Sequence, residues 1–157
     1  MTLTIAQPSL VKPAALGSHA RLDHLGIAVA DLESASAMYR TLLGVEPKMH
    51  AFPGQGIAVA IFTLENLRIE LLAPLGAESP LGDVLEDHTI QAFMARHPLG
   101  GLHHVCYVVE SLSEAQPHGA RRLGSGIPII GAEGRPIVFL DPRTTGGTLI
   151  ELKEAAR

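Results

Sequence analysis

Apolar and polar residues alternate from residue 22 to residue 29, and this period of two predicts a β-strand. Asp31 follows as a candidate N-cap, and apolar residues then recur at helical spacing until Gly44, which predicts a helix that ends there. The predicted order continues with three strands, near 45–51, 57–64 and 67–72, which are separated by turns at Pro53-Gly54 and Glu65-Asn66. The first part of the chain is therefore βαβββ.

The same order is predicted again later in the chain. Residues 103–109 predict a strand, and Ser111 with Glu114 fits the capping box that begins a helix, which Pro117 keeps short. The copy is completed by strands near 121–127, 136–140 and 148–152. Between the two sets, a helix over about 81–95 is predicted from its apolar positions, which are Leu81, Val84, Leu85 and Phe93.

The two sets are copies of one module. The segment HLGIAVADLESA (24–35) aligns with HVCYVVESLSEA (104–115), and His104 follows His24 by 80 residues (104 − 24). IELLAPL from Ile69 aligns with IELKEA from Ile150, and Glu151 follows Glu70 by 81 residues (151 − 70). This similarity predicts tandem modules, at about 22–76 and 101–154, in an α+β fold whose two curled sheets surround a cleft.

The composition of the 157 residues fits one globular domain over residues 22–157, since 46% of them are hydrophobic and 18% are charged. A net charge of −4 with scattered Lys and Arg argues against a nucleic-acid partner, and no apolar segment is long enough to cross a membrane. The single cysteine, Cys106, excludes an internal disulfide and favours a reducing, cytoplasmic setting. Residues 1–21 are predicted to form a flexible N-terminal extension rather than a secretory signal.

Each module carries one carboxylate, Glu70 or Glu151, inside a strand that is otherwise apolar. A buried carboxylate is costly unless it has a cation, a proton or a cavity wall. His24 and His104 occupy matching positions on the first strands of the two modules. Two imidazoles and two carboxylates suit a divalent ion such as Co, Mn, Fe, Ni or Zn. Four protein ligands would leave two positions of a six-coordinate ion for a chelating substrate.

Taken singly, each of these residues has a plainer explanation. A lone His on a strand is more often a hydrogen-bonded core or rim residue, and a lone Glu more often faces solvent. The repetition of the pair favours metal binding. His103 competes with His104 for the role, but neighbours on a strand face opposite sides, and the register of the repeat selects His104.

Four segments cover most of the chain beyond residue 21, namely LDHLGIAVADLESASAMYRTLLG (22–44), IELLAPLGAESPLGDVLE (69–86), GLHHVCYVVESLSEA (101–115) and IGAEGRPIVFLDPRTTGGTLIEL (130–152). In this order they resemble the vicinal-oxygen-chelate superfamily and, within it, the methylmalonyl-CoA epimerases. The resemblance implies metal ligands at His24, Glu70, His104 and Glu151, and inversion at C2 of methylmalonyl-CoA through an enediolate. Epimerisation needs an acid/base on each face of that intermediate, and Glu151 and Glu70 are the catalytic candidates. An acyl-CoA or similar chelating substrate and a homodimer are also implied.

The chain also departs from this family at several positions. Some epimerases carry a Glu where this chain has Val59, which leaves the second acid/base open, and a His where it has Asp141. Glycines between residues 124 and 134 fit a loop beside a pantetheine arm, with Arg135 and Arg143 near phosphates, although turns and solvated side chains explain them as well.

Other functions are found on the same fold. A glyoxalase-type lyase would use the same ligands. An extradiol dioxygenase needs only two His and one carboxylate, and a metal-free ligand-sequestering protein needs no intact ligand set. Four ligands therefore favour a metal-dependent enediolate enzyme over the last two.

Overall fold

The computed structural model describes residues 16–17, 19–115 and 117–156, and most of the extension predicted for residues 1–21 lies outside the described residues. The first strand, β1 (Arg21–Ala28), leads into the helix α1 (Leu32–Leu43). Asp31 caps α1 by accepting a hydrogen bond from the Ser34 backbone N–H at 2.6 Å, and Gly44 ends the helix in the left-handed conformation. Both ends of this helix were predicted from the sequence and are confirmed.

Three strands and a linker with two helices follow α1. The strands are β2 (Lys48–Phe52), β3 (Ile57–Thr63) and β4 (Arg68–Pro74), and the linker helices are α2 (Gly82–Leu85) and α3 (Ile90–Arg96). The prediction of one helix over 81–95 is therefore wrong. Glu86 has a φ of 54°, which ends α2, and Thr89 caps α3 by accepting a hydrogen bond from the Ala92 backbone N–H at 3.1 Å.

Among the described residues, the second half repeats the strands of the first half without its helix. The strands are β5 (Gly101–Val109), β6 (Ile129–Ile130), β7 (Pro136–Leu140) and β8 (Ile150–Glu154). The helix predicted after Ser111 is only a single turn, which the Ala115 N–H closes by donating to the Ser111 carbonyl. The strand predicted over 121–127 is also wrong, because Gly124 and Gly126 adopt positive φ and turn the chain, leaving one bridge between Arg122 and Leu140.

The eight strands form one continuous sheet in the order β2-β3-β4-β1-β5-β8-β7-β6. β1 and β5 pair antiparallel at its centre, while β4 runs parallel to β1 and β8 runs parallel to β5. The first four strands and the last four are thus related by a pseudo-two-fold axis between β1 and β5. This arrangement confirms the α+β fold of two curled modules around a cleft, and it joins their strands in a single sheet.

The two faces of the sheet have different coverings. On the outer face of the first half, α1 packs against Phe62 and Leu71. On the inner face, Ile90 of α3 packs in the cluster that contains Leu72, and Leu85 of α2 packs in the cluster that contains Phe139. The linker helices therefore contact the inner faces of both halves, where the cleft lies. In the described part of the chain, every helix is too short or too polar to cross a membrane.

Candidate metal centre

Two rows of residues cross the centre of the sheet on neighbouring strands. One row contains Glu70 on β4, Gly26 on β1 and His104 on β5. The other row contains His24 on β1, Cys106 on β5 and Glu151 on β8. The pseudo-two-fold axis exchanges the two rows, and the four predicted ligands in them all line the cleft.

The four predicted ligands lie close together and are buried. The Nε2 atoms of His24 and His104 are 3.1 Å apart. His24 Nε2 lies 3.6 Å from Glu70 Oε2, and His104 Nε2 lies 3.5 Å from Glu151 Oε2. Donor atoms of His24, His104 and Glu151 all lie within 4.8 Å of one another. This proximity is what a single metal centre requires, and the role of each residue stays a prediction.

A β-bulge immediately precedes each histidine and places the partner of its Nδ1 atom. On β1, Asp23 is the extra residue before His24, and on β5, His103 is the extra residue before His104. Bulges redirect the side chains beside them. The expectation that His103 faces away from His104 is therefore wrong, since their Nδ1 atoms lie only 2.9 Å apart.

The hydrogen bonds determine which ring nitrogen of each histidine carries a proton. His24 donates its Nδ1–H to Asp23 Oδ2 at 2.8 Å. His103 donates its Nε2–H to the His88 carbonyl at 2.7 Å, so its Nδ1 accepts the Nδ1–H of His104. Both Nδ1 atoms carry protons, so the neutral His104 ring directs an Nε2 lone pair towards His24 Nε2. A proton on His24 Nε2, or a metal cation between the two nitrogens, makes this contact favourable.

The electrostatics of the site favour such a cation. Burial lowers the pKa of His24, but the hydrogen bond to Asp23 and the charges of Glu70 and Glu151 raise it above its ordinary value overall. Burial holds the pKa of His104 well below its usual range and lowers that of His103 to about 4, so both rings are neutral. Burial also raises the pKa of Glu70, and that of Glu151 to about 7. Two buried carboxylates thus lack the positive charge that a divalent ion would supply.

The separations between donor atoms also fit a transition-metal ion. With metal–ligand bonds of about 2.1 Å, two donors on one ion lie roughly 3.0 to 4.2 Å apart. The three measured separations of 3.1, 3.5 and 3.6 Å fall inside this range. Two imidazole nitrogens and two carboxylates are ligands that such ions accept, so these residues fit the metal that the sequence predicted.

Gly26 provides the space that the His104 ring occupies. A Cβ atom at residue 26 would lie 2.1 Å from Cε1 and 2.6 Å from Nε2 of His104, well inside van der Waals contact. At the equivalent place in the other row, Cys106 has its Sγ 3.5 Å from Glu151 Oε1. Burial raises the pKa of the Cys106 thiol, so it stays protonated and donates to that carboxylate.

A cluster of four charged side chains lies beside the centre: Asp23, Arg68, Glu133 and Lys153. Arg68 and Lys153 each contact both carboxylates, with Lys153 Nζ 2.7 Å from Asp23 Oδ2 and Arg68 Nη2 3.0 Å from Glu133 Oε2. Burial raises the pKa of Asp23, but the bonds from His24, Lys153 and Arg68 hold it well below its usual range. The bond from Arg68 is the largest cause that lowers the pKa of Glu133 to about 2. Sequence reasoning missed this cluster, although Lys153 follows Glu151 by two residues and so shares its face of β8.

Val59 and Asp141, the two positions that depart from the family pattern, are both buried. Val59 is completely buried in the cluster that contains Ile57 and Leu72, two residues that line the cleft. Asp141 is buried and bound by Arg121 and Arg143. Because Arg143 also pairs with Glu86, the guanidinium that was expected near phosphates already has two carboxylate partners.

The chain is similar to known proteins over most of its length. The family model of the glyoxalase/bleomycin resistance protein/dioxygenase superfamily matches residues 23–139. An ethylmalonyl-CoA/methylmalonyl-CoA epimerase of Cereibacter sphaeroides is 45% identical over 141 residues, which is 85% of this chain and 97% of the relative. A mitochondrial methylmalonyl-CoA epimerase of Mus musculus is 39% identical, over 86% of this chain and 73% of the relative.

A solved structure shows the same fold at lower identity. It is a variant of Streptomyces coelicolor methylmalonyl-CoA epimerase in complex with 2-nitronate-propionyl-CoA, with a TM-score of 0.71 and 25% sequence identity. The match covers 87% of this chain and 94% of that one.

Proposed function

The chain belongs to the glyoxalase/bleomycin resistance protein/dioxygenase superfamily, and on that premise we propose that it is a metal-dependent epimerase that inverts C2 of a methylmalonyl-CoA-like thioester. The similarity to named epimerases confirms the predictions of this superfamily and of an isomerase. The metal, the substrate and the roles of individual residues are part of the proposal.

The paired histidines are the observation that carries the proposal. Their Nδ1 protons are both engaged, and their Nε2 atoms face each other at 3.1 Å between two buried carboxylates. A divalent ion held by His24, Glu70, His104 and Glu151 would stabilise negative charge that develops on the oxygens of a chelating substrate. A metal-free binding protein would gain nothing from this arrangement.

Glu151 and Glu70 would move the protons. The C2–H bond breaks when Glu151 takes the proton, and its electron pair moves into the thioester carbonyl to give the enediolate. Glu70 stands on the opposite half of the sheet and would return a proton to the other face of C2. Glu151 then loses its proton to solvent and Glu70 regains one, which restores the starting protonation state of both carboxyl groups. Since position 59 carries valine, Glu70 is the carboxylate available for the second face.

Proton exchange at C2 tests this assignment. In deuterated buffer with divalent metal, the protein should introduce deuterium at C2 of methylmalonyl-CoA and racemise it. Glu151→Gln should lose inversion by roughly a hundredfold or more, together with exchange of the enantiomer whose C2 proton faces Glu151. Glu70→Gln keeps an oxygen ligand, so it should retain exchange in one enantiomer and lose inversion. Glu46→Gln, on an exposed pair with Arg40, is the control. Absence of exchange in metal-loaded wild-type protein would contradict the epimerase assignment.

Metal content tests the ligand set independently of activity. His24→Ala should abolish tight divalent binding, because the three remaining ligands lose affinity and geometry. Elemental analysis that finds stoichiometric metal in this variant would argue against the proposed centre. The homodimer and the cytoplasmic location belong to the same proposal, and light scattering at micromolar concentration checks the first of them.

A further inference from the structure

The cleft is narrow for the thioester that the proposed function requires. Its partly open cavity measures about 60 Å³, several times less than the roughly 300 Å³ at which small-molecule sites begin. One wall is the turn between β6 and β7, where Gly131, Ala132 and Glu133 line the cavity. The ion pair of Glu133 with Arg68 on β4 holds that turn against the first half, and its ion pair with Lys153 holds it against β8.

A second depression lies on the other side of the same ion pairs. Four cations line it, namely Arg21, Arg68, Arg135 and Lys153, together with Asp23, Glu133 and Glu154. Glu133, Arg135 and Lys153 line both the cleft and this depression, so these three side chains lie between the two. A concentration of cations is unusual in a chain whose net charge is −4.

The cations of the depression are not fully neutralised. Asp23 and Glu133 are shared by Arg68 and Lys153. The Glu154 carboxylate accepts a hydrogen bond from the Leu112 backbone N–H. Across the described residues, Arg21 and Arg135 have no carboxylate within ion-pair distance, and Arg135 Nε contacts only the Glu154 carbonyl, at 3.4 Å. Two guanidinium groups are therefore available for an anion from outside.

We infer that this depression is an anion subsite for the phosphate groups of an acyl-CoA, and that Glu133 is the internal anion which occupies its inner edge until the ligand arrives. The inference rests on the proposed acyl-CoA substrate. Ligand phosphates would bind Arg21 and Arg135 and compete with the Glu133 carboxylate for Arg68 and Lys153. Release of Glu133 would free the turn, so that the depression and the cleft become one channel through which the thioester reaches the metal centre.

Binding of coenzyme A to metal-free protein, measured by calorimetry, tests the subsite. The double variant Arg21→Gln/Arg135→Gln should bind coenzyme A roughly tenfold more weakly than wild type. Glu133→Gln should bind it roughly threefold more tightly, because the internal competitor loses its charge. Pantetheine, which has no phosphate, should bind the wild type and the double arginine variant equally.

Two controls match these changes in charge at other places. Lys48→Gln removes an exposed cation from β2, and Glu46→Gln removes an exposed carboxylate, so both should bind coenzyme A as wild type does. The inference is overturned if the double arginine variant binds like Lys48→Gln, or if Glu133→Gln fails to bind more tightly than Glu46→Gln. Since neither metal nor turnover is involved, this result is separate from the C2 exchange assay, and either one can fail alone.

Discussion

In the first half of the sheet, His24 donates its Nδ1–H to a carboxylate that two cations also contact, whereas in the second half His104 donates to the neutral ring of His103. A β-bulge precedes each histidine and places both partners in the same way. The pseudo-two-fold axis thus relates two bulges and two histidines, whereas the group that accepts from Nδ1 differs between the halves. A duplicated site can therefore keep its geometry and still give its two histidines unequal basicity.

Gly26 and Cys106 occupy equivalent places in the two rows, and substitutions there should give the largest difference in metal affinity between the halves. Gly26→Ala should weaken divalent binding by roughly a hundredfold or more, because the new Cβ displaces His104 from the shared centre. Cys106→Ala changes the equivalent residue, where a Cβ is already accommodated, and should change metal affinity much less. Competition titration against a chromophoric chelator measures both.

Steric displacement can be separated from a general loss of stability. In a double-mutant cycle on metal-free protein, Gly26→Ala should destabilise the wild-type background more than the His104→Ala background, where the ring is missing. Additive effects would mean that Gly26 acts through the strand and not through His104.

Asp23 and His103 accept from the two Nδ1 atoms, and substitutions there should give a smaller difference in metal affinity between the halves. Asp23→Asn removes a charged acceptor and should weaken metal binding by roughly tenfold to a hundredfold. His103→Gln replaces a neutral acceptor and should cost less than Asp23→Asn in the same titration. Equal losses would show that the charge of the partner does not matter.

The metal-free protein should lose stability in two separate pH windows. The folded pKa of His103 is depressed to about 4 by burial, so its contribution is complete above the unfolded value of about 6.5 and is lost as pH falls towards 4. The folded pKa of Glu133 is depressed to about 2, so its contribution is lost at lower pH, from about 4.5 downwards. Urea unfolding across this range should show His103→Gln reducing the slope of the upper window, to which His104 also contributes, and Glu133→Gln reducing the slope of the lower one, to which Asp23 also contributes. A single transition that neither variant changes would count against the assignment.

The smallest predicted difference concerns α1 and its counterpart in the second half, the single turn that begins at Ser111. Asp31→Ala removes the cap of α1 and should lower the Tm measurably. Ser111→Ala should leave the Tm nearly unchanged, because the Glu154 carboxylate, and not Ser111, accepts from the Leu112 N–H at the start of the corresponding turn. Thermal melts followed by circular dichroism compare the two.

The convergence of His24, Glu70, His104 and Glu151 could be predicted because they are polar residues at repeated places within apolar strands. Their partners could not, since Asp23, Arg68, Glu133 and Lys153 are scattered along the chain and meet only through the sheet. His103 was assigned to the wrong face because alternation fails at a bulge, and nothing in the local pattern marks the extra residue.

The fold also shows which sequence patterns could be predicted and which could not. Strands with a repeated apolar pattern were predicted correctly, and so was α1, whose cap and left-handed glycine act locally. The helix after Ser111 and the single helix over 81–95 were predicted wrongly because other local conformations are more stable there. Pro117 closely follows the turn at Ser111, and Thr89 begins a new helix after the positive φ of Glu86.

The antiparallel pairing of β1 with β5 also bears on how the protein reaches its working form. Each strand contributes one histidine to the centre, and both bulges must form for the Nε2 atoms to meet. A slip of one residue between the strands would turn a histidine to the opposite face of the sheet. Metal binding would then favour the correctly paired chain, because only that chain gains the free energy of binding. Misregistered chains would remain in equilibrium with the unfolded state.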